Sequence, residues 1–428
     1  MTATALAAFP DTAAAGVGGI TVGGVALADL ADAHGTPLYV YDAQSIRTRA
    51  QAVADAIDAA PGGGSAVFAL KANSCLGLLR LIARAGLGAD CASAGEIAAA
   101  TRAGIPGERI VVHGNAKSES DLGAALDAGV RLVVVDSRDD AERLADLCRA
   151  RGVRQDVLVR IAPGIDVDTH RHIATGQHGS KFGVTPAEGA ALLRALPDGL
   201  HGRGLHVHLG SQVLAPEPLL AAARWLPEFA RAEGLELDVL DVGGGLGIRY
   251  LPDDPMPDPG AHTRALADAV AAACRERDMP VPELIVEPGR SIVGQSGVTL
   301  YRVIGVKTAG DGATWVALDG GMGDNLRVGL YGARYRPVLA RRPTAEPTGR
   351  YRLAGRHCES TDVIADDVAL PDPRVGDVVA VPATGAYHQS MAHTYNLFGR
   401  PAAVLVDDGA VTVITRRESV EDLFARDT

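Results

Sequence analysis

The sequence predicts an α/β fold, namely a (β/α)8 TIM barrel plus a mostly antiparallel β domain formed from both chain ends. Between about residues 65 and 290, short apolar runs rich in β-branched residues alternate with Ala/Leu-rich helical patterns. Strands that are apolar throughout and separated by helices indicate a parallel sheet covered on both faces. Eight such strands over about 225 residues match a barrel better than a doubly wound sheet, which stays open as the alternative.

The eight predicted strands are spaced evenly along this region. They are Ala66–Leu70, Gly88–Ala92, Ile110–His113, Leu132–Asp136, Val157–Ile161, Gly204–Leu209, Val239–Val242 and Leu284–Glu287. The apolar residues between them recur with helical period. These patterns predict helices at Leu76–Ala85, Ala94–Ala103, Ser118–Ala128, Asp139–Ala150 and His262–Arg277.

After Gly294 the sequence changes to short strands parted by Gly, Pro and Asp turns, which is typical of an antiparallel β domain. The predicted strands are Val298–Lys307, Thr314–Leu318, Arg350–Leu353, Asp377–Val381, Ala402–Val406 and Ala410–Thr415. The segment Ile20–Tyr41 has similar short strands and is expected to join them. We therefore expect an N-terminal segment of the β domain at 1–42, the barrel at 43–297 and the C-terminal β domain at 298–428.

The composition is that of an ordinary globular protein, with 47% hydrophobic and 22% charged residues. A net charge of −11 argues against a nucleic-acid partner, which requires a basic face. Five cysteines without a C-x-x-C pair favour a reducing compartment, so we expect a cytoplasmic protein. Residues 1–24 carry no Lys or Arg, and the sequence has no run of 18 uncharged apolar residues. Neither a signal peptide nor a membrane partner is therefore expected.

Polar residues lie at or just after the ends of seven of the eight predicted strands. Because the active site of this barrel type lies at the C-terminal ends of the strands, we expect these residues to share one rim. They are Lys71, Asp90, His113, Asn115, Asp136, Ser137, His208, Ser211, Gly243–Gly247, Glu287 and Arg290.

Three of these positions suggest specific chemistry. A buried Lys71 would have a lowered pKa and act as an amine nucleophile, although a lysine that only extends to the barrel mouth would look the same. The glycines from Gly243 offer backbone N–H groups to a phosphate, or else form only a tight turn. Glu287 could keep a pyridine nitrogen protonated, or could form a structural salt bridge with Arg290.

His206 and His208 lie on one face of a strand because strand side chains repeat every two residues. A pair of this spacing can bind zinc, but the sequence offers no obvious third ligand nearby. We therefore expect no metal.

These residues and the motifs around them resemble the diaminopimelate decarboxylases, within the alanine-racemase-like (fold type III) pyridoxal-phosphate enzymes. The resemblance covers about Val25 to Leu423, nearly the whole chain. The motifs that carry it are F-A-L-K-A-N, D-C-A-S-A-G-E, H-G-N-A-K-S, T-H-R-H-I-A-T-G, S-K-F-G, G-L-H-V-H-L-G-S-Q, D-V-G-G-G-L-G-I, E-P-G-R-S, L-D-G-G-M-G-D-N-L-R, L-Y-G, H-C-E-S-T-D, G-A-Y and Y-N. Two departures, Phe68 and Val328-Gly329, remove no charged contact.

The resemblance implies pyridoxal 5'-phosphate as cofactor, with Lys71 attached to it as a Schiff base and His208 stacked on its ring. The further cofactor-binding residues that it implies are Asp90, Ser211, Gly243, Gly244, Gly245, Glu287, Pro288, Gly289, Arg290 and Tyr387. It implies a homodimer with shared active sites, in which Cys358 of the partner subunit returns the proton. The implied substrate-binding residues are Arg290, Arg327, Tyr331, Glu359 and Tyr387.

The implied reaction is decarboxylation of meso-2,6-diaminopimelate to L-lysine and CO2, the last step of lysine biosynthesis by the diaminopimelate route. Two arginines suit a substrate with a distal carboxylate, because guanidinium groups bind carboxylates bidentately. The alternatives are a related decarboxylase of ornithine, arginine or carboxynorspermidine, and a non-catalytic pyridoxal-phosphate protein. The sequence leaves open whether Thr169–Ser180 closes over the substrate.

Overall fold

The computed structural model describes residues 6–165 and 180–428. The chain forms two compact units. The first comprises Met1–Arg47, Ile248–Met256 and Ile292–Thr428, and the second comprises Thr48–Gly247 and Pro257–Ser291. Except for Ser180, the segment Thr169–Ser180 lies outside the described residues. Strands and helices are numbered below along the chain.

The second unit contains a closed barrel of eight parallel strands, as the sequence predicted. Its strands follow one another around the barrel in chain order, and the last pairs with the first. They are β5 (Gly64–Ala69), β6 (Gly88–Cys91), β7 (Ile110–Val112), β8 (Leu132–Val135), β9 (Gln155–Arg160), β10 (Leu200–His206), β11 (Val239–Asp241) and β12 (Glu283–Val286).

Helices connect the barrel strands. They are α3 (Leu76–Arg84), α4 (Ala94–Arg102), α5 (Glu119–Ala128), α6 (Arg138–Arg151), α7 (Pro186–Arg194), α8 (Glu217–Glu233) and α9 (Pro259–Arg275), preceded by α2 (Ala43–Asp58). Local sequence sets the ends of α5. Ser118 and Asp121 form a reciprocal capping box at its start, and Gly129 ends it with φ +60°. The sequence predicted five of these helices and did not predict α2, α7 or α8.

Branched aliphatic side chains pack together inside the barrel. They are Val67, Val111, Leu132, Val134, Leu158, Val239 and Ile285, all almost fully buried. Along the chain, the polar residues at the strand ends come after these apolar residues. This division is expected of a barrel that uses one end for chemistry and fills its interior for stability.

The first unit is built around a nine-stranded sheet. Its strands are β4 (Leu38–Asp42), β13 (Gly297–Thr308), β14 (Thr314–Leu318), β15 (Val338–Leu339), β16 (Gly349–Ala354), β17 (Val363–Leu370), β18 (Val378–Pro382), β19 (Ala402–Asp407) and β20 (Ala410–Thr415). The N-terminal strand β4 pairs with both β13 and β19. The prediction that both chain ends build this domain is therefore confirmed.

Two pairings of this sheet are parallel, β4 with β19 and β14 with β16, while the others are antiparallel. The sequence did not predict β17, because two adjacent aspartates interrupt its apolar alternation at Asp366 and Asp367. A smaller sheet joins β1 (Ala14–Gly16), β2 (Gly19–Val22) and β3 (Val25–Ala26). The remaining helices are α1 (Leu27–His34), α10 (Arg290–Val293), α11 (Arg327–Tyr331) and α12 (Val420–Leu423). Within the described residues, every helix is too short or too polar to cross a bilayer.

Candidate active site

Lys71 lies just beyond β5, in a single 3-10 turn at Leu70–Ala72. Its Nζ is 3.8 Å from Oδ2 of Asp90, which is buried in β6. About half of the Lys71 side chain is exposed, so of the two alternatives that the sequence left open, the structure favours a lysine that extends to the barrel mouth. The strand ends at Ala69, so Lys71 lies outside the strand and beyond its buried residues.

Close backbone packing holds the start of this turn. The amide of Ala69 donates to the carbonyl of Pro288 at 3.0 Å. A Cβ at Gly289 would lie 3.0 Å from the Cβ of Ala69 and 3.1 Å from that of Ala72. The E-P-G-R turn and the lysine turn are therefore packed against each other, with glycine where they come closest.

Asp90 is a buried carboxyl in the same site. Burial raises its pKa, while the nearby charges of His113 and Lys71 act in the opposite direction. Nε2 of His113 lies 3.7 Å from Asp90 Oδ1. The carboxyl therefore connects the lysine to the group of histidines behind it.

Three histidines surround the buried carboxylate of Glu287. Its Oε1 lies 3.1 Å from His113 Nε2 and 3.0 Å from His206 Nε2, and its Oε2 lies 3.6 Å from His208 Nδ1. Burial raises the pKa of Glu287, but the attraction of His113 and His206 more than offsets this and leaves the pKa well below its ordinary value. Burial lowers the pKa of His113 to about 4. The pKa values of both groups are therefore lowered in the site, that of Glu287 by its imidazole neighbours and that of His113 by burial.

The group of His113, His206 and Glu287 corrects one argument made from the sequence, namely that no further metal ligand lies near His206. Ligand atoms of His113, His206 and Glu287 all lie within 4.8 Å of one another, so His206 does have further potential ligands nearby. The sequence could not show this, because the three residues belong to strands that are far apart in the chain. The arrangement has the residue types of a metal site, but the same atoms also suit a carboxylate held by imidazoles.

The glycines that follow β11 form a turn that other residues could not occupy. Gly243 and Gly245 have φ of +69° and +110°. A Cβ at Gly244 would lie 2.1 Å from the carbonyl oxygen of Glu287. The amide of Gly244 donates to Nδ1 of His208 at 3.2 Å. Glycine is therefore required here both for conformation and for close approach.

The end of β12 and the loop after β10 are joined by a further polar contact. Nη2 of the buried Arg290 donates to Oγ of Ser211 at 2.9 Å. Both residues were predicted to bind the cofactor. The contact brings a cation and a hydroxyl together in the barrel unit, as an anion site requires.

Five of the predicted site residues lie in the first unit. Arg327 is buried at the start of α11, which ends at Tyr331. The guanidinium of Arg327 lies over the ring of Tyr250, 4.8 Å from its centre. Cys358 and Glu359 are exposed in the loop between β16 and β17, and Tyr387 follows β18 with φ +60°.

Some residues of these sites were missed by sequence reasoning. Arg160 is the last residue of β9 and lies 3.9 Å from Asp136, with its guanidinium over the ring of Phe182. The rule that found the other rim residues would have found Arg160, but the predicted strand ended at Ile161. Tyr335 contacts Arg327 directly, and His388 contacts Tyr335. Neither residue lies in a motif that could have revealed it.

Comparison with known proteins assigns the chain to a family. The model of the pyridoxal-dependent decarboxylase, pyridoxal binding domain, matches residues 43–294. Diaminopimelate decarboxylase of Actinosynnema pretiosum subsp. auranticum is 45% identical over 415 residues, which cover 96% of this chain and 93% of the relative. The chain belongs to the diaminopimelate decarboxylase family. It is therefore a pyridoxal-phosphate-dependent carboxy-lyase.

Solved structures of the family share the fold over nearly the whole chain. Diaminopimelate decarboxylase of M. jannaschii has a TM-score of 0.88 at 32% identity and covers 98% of each chain. The Helicobacter pylori diaminopimelate decarboxylase, complexed with L-lysine, has a TM-score of 0.84 at 32% identity, over 93% of this chain and 98% of that one. The predictions of family, fold, enzyme class and cofactor are thus confirmed.

The residues of the barrel unit fit pyridoxal phosphate. Oε1 of Glu287 and Nε2 of both His113 and His206 are buried without an aligned hydrogen-bond partner among the described residues, although the distances between them are near 3 Å. The protonated ring nitrogen of the cofactor would supply the hydrogen-bond donor that Oε1 of Glu287 lacks among the described residues. Lys71 supplies the primary amine, and the glycine turn supplies a backbone that no Cβ obstructs.

Proposed function

We propose that this chain decarboxylates meso-2,6-diaminopimelate to L-lysine and CO2, the last step of lysine biosynthesis by the diaminopimelate route. The observation that carries the substrate assignment is the buried guanidinium of Arg327 in the first unit. A cation fixed in this way suits a substrate with a carboxylate at its far end. Ornithine and arginine carry a cation there instead, which a guanidinium would repel.

The barrel residues hold and tune the cofactor in this proposal. Lys71 binds it covalently, with Asp90 beside the amine and His208 against the ring. The carboxylate of Glu287, whose pKa is well below its ordinary value, would hold a proton on the ring nitrogen. When bound, pyridoxal phosphate supplies the electron sink that accepts the electron pair released as CO2 leaves.

The phosphate is assigned to residues of four segments. These are Ser211, the turn of Gly243, Gly244 and Gly245, the Glu287–Arg290 turn with Pro288 and Gly289, and Tyr387. Arg290 already donates to Ser211, which supports a site for an anion at this point. We assign Arg290 a second role beside Arg327, Tyr331 and Tyr387, at the substrate.

Cys358 and Glu359 complete the proposal. Cys358 returns a proton to the α-carbon after CO2 has left, and Glu359 binds the distal ammonium of the substrate. Both side chains are exposed, so each is accessible to a substrate molecule, which supports these two roles. As the resemblance implies, we propose a homodimer in which Cys358 of the partner subunit serves each site.

Two further parts of the proposal concern organisation and location. The cofactor-binding barrel is assigned to residues 43–297, with 1–42 and 298–428 as the two parts of the β domain. The family model matches 43–294, which supports these bounds. A cytoplasmic location is proposed because the five cysteines offer no even-numbered disulfide framework.

A substrate comparison tests the proposed function. Release of CO2 is measured from purified protein with pyridoxal phosphate and meso-diaminopimelate, ornithine or arginine in turn. We expect release from meso-diaminopimelate alone. Release from ornithine without release from meso-diaminopimelate would overturn the substrate assignment, and release from none would indicate a non-catalytic protein.

A further inference from the structure

The loop that carries Cys358 and Glu359 is exposed, yet hydrogen bonds attach it to another segment of the same unit. The backbone N–H of Cys358 donates to Oδ1 of Asn396 at 3.1 Å. The hydroxyl of Tyr395 donates to Oε1 of Glu359 at 2.8 Å. Two adjacent residues of one segment therefore each hold one of two adjacent residues in the other.

The base of the Cys358 loop is anchored separately. His357 and Asp362 are both buried, and Oδ2 of Asp362 accepts the backbone N–H of His357 at 2.8 Å and lies 2.9 Å from its Nδ1. The N–H of Asp362 donates to the carbonyl of Glu359 at 3.1 Å. These bonds fix where the loop leaves and re-enters the fold, but they do not set the direction of the exposed residues at its tip.

The Tyr395–Asn396 segment has a conformation that turns it toward this loop. Asn396 and Leu397 have φ of +56° and +57°, a left-handed region that is unfavourable for a residue such as leucine. The ring of Tyr395 is parallel to that of His357, with the centres 6.1 Å apart. A strained turn on an exposed segment needs compensation, and the bonds to Cys358 and Glu359 supply it.

We propose that Tyr395 and Asn396 are positioning residues, which hold Glu359 and Cys358 respectively in the orientation that the reaction requires. This inference rests on the proposed roles of Cys358 and Glu359. Asn396 acts on the backbone of Cys358 and leaves the thiol open. Tyr395 occupies one oxygen of the Glu359 carboxylate, so the second oxygen can accept the substrate ammonium.

Two matched substitutions separate the hydrogen bond of Asn396 from its backbone conformation. Asn396→Gly keeps a residue that readily adopts positive φ but removes the acceptor. Asn396→Asp keeps both the conformation and an oxygen acceptor. Hydrogen exchange of the Cys358 amide, followed by mass spectrometry of the holoenzyme, reads the contact directly and without reference to turnover.

We expect the Cys358 amide to exchange at least several-fold faster in Asn396→Gly and at the wild-type rate in Asn396→Asp. Asn396→Gly should also lower kcat about tenfold, since a misplaced donor loses the orientation that speeds proton transfer, while the absorbance of the bound cofactor stays unchanged. Tyr395→Phe should raise the KM for meso-diaminopimelate about tenfold, with a smaller effect on kcat, because Glu359 loses the donor that orients it.

Unchanged exchange at Cys358 in Asn396→Gly would overturn the inference, because the contact would then not hold the loop. Unchanged kcat in that variant would also overturn it if Cys358→Ala abolishes turnover, and the proposed function would then still stand. If Cys358→Ala retains full turnover, the proposed role of the thiol fails, and the positioning role of Asn396 fails with it.

Discussion

Arg327 donates a hydrogen bond of 2.6 Å from Nη1 to the hydroxyl of Tyr335. The same hydroxyl lies 3.0 Å from Nε2 of His388, whose Nδ1 lies 2.8 Å from the carbonyl of Ala386. A carbonyl can only accept, so Nδ1 carries the proton and Nε2 accepts from Tyr335. The hydroxyl of Tyr335 therefore accepts from Arg327 and donates to His388, and this series of hydrogen bonds holds the guanidinium in position.

Tyr335→Phe should weaken substrate binding. A hydrogen bond to a charged group contributes about 1.5–3 kcal/mol, so we expect KM for meso-diaminopimelate to rise about tenfold or more with a smaller change in kcat. Steady-state kinetics checks this. Tyr351→Phe, at a partly exposed tyrosine of the same unit, is the control. Equal kinetics in Tyr335→Phe and wild type would show that Tyr335 does not position Arg327.

Gly244→Ala should impair retention of the cofactor. The added methyl would meet the carbonyl oxygen of Glu287 at 2.1 Å, so the turn or the E-P-G-R segment must move. Titration of the purified protein with pyridoxal phosphate should show weaker binding. Gly95→Ala in α4 is the control, because its nearest neighbour would be 3.7 Å away, and it should bind normally. Wild-type affinity in Gly244→Ala would contradict the assignment of this turn to the cofactor.

His113 should make stability depend on pH. Burial lowers its pKa to about 4 from an ordinary 6.5, so the unfolded chain takes up the proton first as the pH falls. The free energy of unfolding should therefore be unaffected by His113 above about pH 6.5. It should fall progressively as the pH is lowered toward 4, by about 3 kcal/mol at most. His113→Asn should show a flatter dependence of thermal midpoint on pH across this window. A fall as steep as that of the wild type would exclude His113 as its source.

The barrel and its rim could be predicted from sequence because the signal is local. Seven of the eight predicted strands end in or are followed by polar residues, and Lys71, Asp90 and Glu287 are among them. The position of Glu287 among three imidazoles could not be predicted, because it depends on which strands face each other across the barrel. The exposure of Lys71 could not be decided from sequence, because it depends on β5 ending at Ala69.

The first unit was harder to predict for a similar reason. Arg327 lies in a recognisable motif, but its contact with Tyr335 follows from the turn after α11 and its contact with Tyr250 from a segment inserted between barrel elements. Asn396 and Cys358 are 38 residues apart and meet through a side chain and a backbone amide. Neither the spacing nor the periodicity of residues in the sequence predicts such a contact.

The central claim is that Lys71 binds pyridoxal phosphate covalently at the mouth of the barrel. The most direct test is to reduce the loaded protein with borohydride and find the modified peptide by mass spectrometry. We predict that the cofactor is attached to Lys71, that Lys71→Ala loses the visible absorbance, and that Lys307→Ala, at an exposed strand position, keeps it. Attachment to another lysine, or unchanged absorbance in Lys71→Ala, would contradict the account.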